Sequence, residues 1–213
     1  MGSVSTTSPP GRRDRKKTAT REALRDAALR LALEHGYETL TIEAITDAAD
    51  VSLRTFFNYF ASKDEALLGP DPERAAELAE ALLARPAAEP TVAALRAVFE
   101  QLAASFAERG ALWQARMELV RANPQLWPRL HAGFTEFERS VAIAVATRTG
   151  SDPDTDLYPG VAAAAAVGAM RVAVAQWRAS GESASLSDLV MSAFDVLAAG
   201  LDTPAAGGRR PAP

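Results

Sequence analysis

The side chains that catalysis and metal binding require are few in this chain. No cysteine occurs, which removes thiolate nucleophiles, disulfides and thiolate metal sites. The two histidines, His35 and His131, lie far apart in sequence and form no zinc-ligand spacing. Asp152, Asp154 and Asp156 imitate the opening of a calcium loop. Leu157, however, stands where its glycine belongs, and Ala163 where its bidentate glutamate belongs. Phosphate-cradling glycine loops, nucleophile elbows and dinucleotide fingerprints are also missing. These exclusions predict a protein that is not an enzyme and that needs no metal or cofactor. Binding chemistry remains, and cations carry it. Arg12, Arg13, Arg15, Lys16, Lys17 and Arg21 crowd together with only Asp14 opposing them. Residues 1–63 hold ten Lys/Arg against eight Asp/Glu, whereas the remainder holds thirteen against nineteen. A basic block ahead of an acidic body suits phosphates, with a solvated tail as the plain alternative.

A second stretch points to nucleic acid more specifically. It runs from Thr41 to Lys63 and reads TIEAITDAADVSLRTFFNYFASK. Thr41 is placed to cap a short helix buried on Ile42, Ile45 and Ala49. Asp50 and Val51 then make a tight turn, and Ser52 caps a third helix from Leu53 to Phe60. Ser62-Lys63-Asp64-Glu65 is a capping box that opens a fourth helix. Two short helices across a tight turn, the second rich in polar and aromatic residues, read as a helix-turn-helix. Such a unit puts its second helix into the major groove while its neighbours hold phosphates.

These residues resemble the DNA-binding domain of the TetR family of repressors, from Thr18 to about Leu68. Thr41, Ala49, Val51, Ser52, Thr55, Tyr59, Phe60, Ser62 and Lys63 match the family pattern. Asp50 departs from it by replacing the turn glycine, which Asp tolerates because it visits left-handed geometry. Phe57 departs from it by replacing the commonest tyrosine, which removes a hydroxyl. The resemblance implies that Leu53, Arg54, Thr55 and Phe57 face the groove, with Ser52 at the start of that helix. Arg54 is the one long donor among them and has the reach for guanine O6 and N7. Thr41, Tyr59 and Lys63 are implied phosphate contacts. A lysine in the first turn of a helix opposes the macrodipole, which favours a functional reason for Lys63. Phe56 and Phe60 read as core.

The elements that must position these groups are helical. Alanine is abundant and aromatics are 7% of the chain, a balance that favours helices over sheets. Leu24, Ala27, Ala28, Leu31 and Ala32 predict a first helix from Thr18 to His35, ended by Gly36. Further on, Val92, Leu95, Phe99, Leu102 and Phe106 form a helical stripe, and Trp113, Met117 and Val120 another. Asn123-Pro124 opens a helix carrying Leu130, Phe134, Phe137, Val141 and Val145, with Pro128 as a break near its start. Two long helices follow, about Leu157 to Ala179 and Leu186 to Leu201. The fold class is therefore all-α, and the resemblance divides it into a three-helix, helix-turn-helix DNA-binding domain at 18–68 and a helical ligand-binding and dimerisation domain at 69–202. Tails at 1–17 and 203–213 are expected to be disordered. The longest apolar run, Val161 to Met170, is too short to span a bilayer, so no membrane partner is expected. No signal peptide is read at the N-terminus, and a cytoplasmic protein fits.

By the same resemblance, the second half binds a small ligand and forms a homodimer through its last two helices. Ala162 to Ala166, Gly168, Ala169, Ala173 and Ala175 offer small surfaces, with Val190, Phe194, Leu197 and Leu201 as a partner stripe. Ordinary packing within the chain uses the same residues. Trp113, Met117, Trp127, Phe134, Met170, Val174 and Trp177 are the large groups that a cavity would use, although a filled core would use them too. The stretch NPQLWPRLHAGFTEFERSVAIAVATRTG, with DLYP and RVAVAQW, resembles the mycofactocin-associated TetR subgroup. That likeness implies a long acyl or CoA-like effector. The expected partners are double-stranded DNA, a second copy and such an effector. The alternative is a DNA-binding partner module that works without a small molecule.

Overall fold

A computed structural model describes residues 12–69, 71–108, 110–181 and 183–200. Among them are ten α-helices, one short 3-10 turn and no strand. The expected disordered stretches at 1–11 and 203–213, and Leu201, lie outside the described residues. In chain order the helices are α1 (Arg12–His35), α2 (Ile42–Ala48), α3 (Leu53–Phe57), α4 (Lys63–Leu68) and α5 (Pro72–Ala84). They continue with α6 (Thr91–Glu108), α7 (Gly110–Ala122), α8 (Trp127–Thr149), α9 (Leu157–Ala179) and α10 (Leu186–Ala198). The helix α1 starts at Arg12, six residues before the Thr18 read from the pattern, so 12–17 is not a disordered tail. Arg and Lys are good helix formers, and no proline or glycine interrupts Arg12–Lys17. Pro128 falls in the first turn of α8, where a missing N–H costs nothing, and it breaks no helix.

Two compact units emerge. The first joins the chain up to 69 with Trp113–Gly133. Its core packs Leu24, Ala28, Leu29, Ile45, Phe56, Phe60 and Leu67 with Met117, Val120, Leu126 and Leu130. The helix-turn-helix thus completes its core with a segment that lies some fifty residues downstream, which a contiguous boundary at 68 does not foresee.

The second unit joins Asp71–Leu112 with the chain from 134 onward. Here α6, α9 and α10 pack on one another. Phe99 meets Phe194 at 5.7 Å between ring centroids, among Leu82, Leu95, Val141, Val145 and Val190. Arg148 closes the turn between α5 and α6, donating to the carbonyls of Arg85 and Glu89 at 3.0 Å each. By length and composition alone α9 could cross a membrane, since Arg171 is the one charge between Leu157 and Trp177. Its Ala163, Ala166, Ala169, Ala173 and Trp177 recur every three or four residues and are buried in this core, as a bundle helix requires. Val190 and Phe194, expected on a stripe facing a second copy, are buried within the chain instead.

Candidate nucleic-acid interface

Hydroxyl caps and one strained turn set the geometry of the α2–α3 hairpin. Thr41 Oγ1 accepts from the Ala44 N–H at 3.1 Å, and Ser52 Oγ from the Thr55 N–H at 3.1 Å. Caps of this kind contribute about 1 kcal/mol each. Ser52 and Thr55 also share a hydroxyl hydrogen bond of 2.9 Å, so both are occupied with each other at the head of α3. Between the helices, Asp50 has φ +51°, the one described non-glycine residue in the left-handed region. The Val51 N–H reaches back to the Thr46 carbonyl at 3.0 Å and the Asp50 N–H to Asp47 at 3.3 Å. That pair of bonds is a Schellman ending, a place glycine usually takes.

With the turn fixed, α3 divides cleanly. Phe56 is buried, and Phe60 just beyond the helix is buried with it. Leu53 and Phe57 are exposed at 42% and 58%, and Arg54 is exposed beside them. The Arg54 side chain makes no hydrogen bond or ion pair among the described residues, which leaves its donors open to solvent. Tyr59 is half-buried, with the Arg21 guanidinium of α1 5.6 Å from its ring centroid. Thr41 is exposed at the head of α2.

Lys63 is used differently from a free surface cation. Its ammonium donates to the Leu40 carbonyl at 2.8 Å and to the Tyr37 carbonyl at 3.1 Å, and lies 4.3 Å from the Tyr37 ring centroid. Two of its three N–H donors therefore close the α1–α2 turn, which also explains how a lysine is tolerated at a helix start. Next to it, the Tyr37 hydroxyl donates to Asp64 Oδ1 at 2.7 Å. Burial, and then the bond and charge of Asp64, push the Tyr37 phenol up to about 12.

Glu65 of the capping box holds α4 together with Arg129 and Arg25, which sequence reasoning passed over. One Glu65 carboxylate oxygen accepts from the Ala61 N–H at 2.7 Å, and the other pairs with Arg129 at 3.1 Å. Arg25 donates to the Gly69 carbonyl at 2.8 Å. A Cβ at Gly69 would overlap the Glu65 carbonyl, so that end of α4 accepts no side chain. The capping box hinted at Glu65, but nothing local in the sequence pairs it with Arg129.

The side chains suggested for a ligand cavity divide between the units. Trp113 and Met117 belong to the first, where Met117 is buried in the core and Trp113 packs against it. Trp127 also lies in that unit and is exposed. Phe134, Met170, Val174 and Trp177 belong to the second. There Trp177 is buried edge-on to Phe106 at 6.4 Å, Met170 and Val174 pack at the margin of the core, and Phe134 is exposed.

Residues 24–68 match the family model described as bacterial regulatory proteins, tetR family, and residues 89–202 the model described as MftR C-terminal domain. Over 201 residues the chain is 36% identical to the HTH-type transcriptional regulator TcmR of Streptomyces glaucescens, covering 91% of this chain and 89% of that one. The chain belongs to the TetR family of transcriptional regulators. It is a regulator and not an enzyme. A second relative, the mycofactocin biosynthesis transcriptional regulator MftR of Mycobacterium tuberculosis, is 28% identical over 88% of this chain and 94% of its own. Among solved structures, the TetR-family repressor FadR of Thermus thermophilus, in complex with lauroyl-CoA, aligns with a TM-score of 0.55. It is 25% identical, over 88% of this chain and 100% of that one. Against the family pattern, the departures fall at Asp50, in the turn before α3, and at Phe57, on α3 itself.

Proposed function

We propose that this TetR-family regulator is a cytoplasmic homodimer that represses from an inverted-repeat operator and is released by an acyl-CoA-like ligand. The outward face of α9 carries the dimeric part of this reading. Leu157, Val161, Ala164, Gly168, Val172 and Ala175 recur there every three or four residues. Leu157 is 85% exposed and Val161 64%, an unusual state for branched apolar side chains on a long helix. A Cβ at Gly168 would meet nothing within 4 Å, so packing within one chain does not call for a glycine there. Close approach by a second helix does. Two copies related by a two-fold axis would each cover the other's stripe and present two recognition helices to a palindrome.

On α3, the recognition helix in this reading, Arg54 would read a base edge, flanked by Leu53, Thr55 and Phe57. Thr41, Ser52, Tyr59 and the remaining donor of Lys63 would contact phosphates. For the effector, the lauroyl-CoA bound in the Thermus FadR complex supports an acyl-CoA. Within the second unit, Phe134, Met170, Val174 and Trp177 are the side chains proposed to respond to it.

The test titrates acyl-CoAs of several chain lengths into the protein–operator complex and follows fluorescence anisotropy. Release that depends on chain length is expected. Operator DNA should in turn weaken acyl-CoA binding by the same factor, as linkage demands. Release that ignores chain length removes the acyl-CoA reading. No release by any of them leaves a DNA-binding module without this effector.

A further inference from the structure

We propose that Phe57, backed by Leu53, reads the C5-methyl group of a thymine in each operator half-site, next to the base edge taken by Arg54. The inference rests on the DNA-binding reading of α3 and names what that helix recognises.

Phe57 is not a core residue in waiting. The buried side of α3 is already filled by Phe56 at 0% exposure, and Phe60 beyond it is exposed by only 3%. Phe57 points the other way and keeps more than half its surface in water. Its ring is also not free to fold back. It stands edge-on to Phe56, with centroids 5.5 Å apart and planes at 86°, which fixes its outward direction. Leu53, one turn earlier on the same face, extends the apolar surface, while Arg54 and Asn58 border it with polar groups.

The chemistry of the groove narrows the partner. Base edges in the major groove offer donors and acceptors, and one apolar group, the thymine methyl. A phenylalanine ring accepts at most a weak N–H···π contact and offers an acceptor nothing. Cytosine has only a hydrogen where thymine carries its methyl, so it presents less apolar surface to the ring and recovers little for the N4 hydration it loses. A tyrosine at this position would carry a hydroxyl suited to a polar edge, and its absence removes that option.

The experiment selects an operator from a random duplex library with the full-length protein. Each thymine of a half-site is then replaced singly by deoxyuridine, which deletes the methyl and nothing else. At one or two positions per half-site, deoxyuridine should weaken binding roughly three- to tenfold, in line with burying one methyl against an apolar face. Phe57→Ala should lose about the same factor on the thymine operator and become indifferent to deoxyuridine there. Phe57→Met, apolar and flexible, should keep the sensitivity and so guard against a trivial folding defect. At the same position 5-methylcytosine should bind better than cytosine. Uniformly neutral deoxyuridine substitutions, or a Phe57→Ala protein that still senses the methyl, would overturn the proposal while leaving DNA binding intact. A wild-type protein that selects no duplex would instead overturn the DNA-binding reading beneath it.

Discussion

Lys63 donates to the backbone carbonyl of Leu40 at 2.8 Å, so the first residue of α4 closes the turn that delivers α2. The same ammonium reaches Tyr37 and lies over its ring, an arrangement in which the lysine acts on the fold before it meets any phosphate. Replacing it with alanine takes the ammonium donor from the part-buried Leu40 carbonyl, while the Tyr37 carbonyl keeps the Leu40 N–H at 3.2 Å. Lys63→Ala should destabilise the DNA-binding unit by about 1–3 kcal/mol. Thermal unfolding without DNA checks this. An unchanged midpoint would return Lys63 to the role of a pure phosphate contact.

Tyr37 makes the same corner sensitive to alkali. Its phenol titrates near 10 when unfolded and is held up to about 12 in the fold. The folded state therefore binds the proton more tightly, and its contribution to stability is complete below about pH 10. That contribution falls as pH rises through 10 toward 12. Ultraviolet titration of the phenolate and urea unfolding at pH 9 and 11 should show the loss, and Tyr37→Phe should lack it.

Asp50 sits in the left-handed conformation that glycine adopts without strain. Asp50→Gly should leave the α2–α3 angle unchanged and stabilise the unit by roughly 1 kcal/mol, the order of the penalty for an L-residue there. A higher melting temperature with equal operator affinity is the expected result. A lower one would mean that the aspartate side chain holds the turn.

Arg54 is exposed, uncommitted and on the outward face of α3. Arg54→Ala should cost about 1–3 kcal/mol at one base position and relax the preference there, whereas loss of a phosphate contact weakens all sequences alike. Competition binding against operators changed one base pair at a time separates the two. A uniform loss would reassign Arg54 to the backbone.

What was legible in the sequence follows from locality. Thr41, Ser52 and Ser62 announce their helices because a cap is a relation between residues three apart, and each makes its expected bond. The apolar spacing around Leu24 and Ala28 likewise reveals a buried face. Relations across tens of residues were not legible. Nothing near Lys63 says that its ammonium turns back to residues 37 and 40, and nothing near Glu65 names Arg129 as its partner. Val190 and Phe194 show the same limit, since a helical stripe looks alike whether it faces its own chain or another copy. The ligand side chains were hardest, because tryptophan and methionine line cavities and fill cores by one chemistry.

The central claim is a two-fold symmetric regulator on DNA. It is tested most directly by footprinting the full-length protein on a genomic library and weighing the resulting complex. The account predicts an inverted repeat whose half-sites are roughly 34–36 Å apart or a multiple of that, with chains bound in pairs and affinity falling steeply with salt. A single asymmetric half-site occupied by one chain would contradict it.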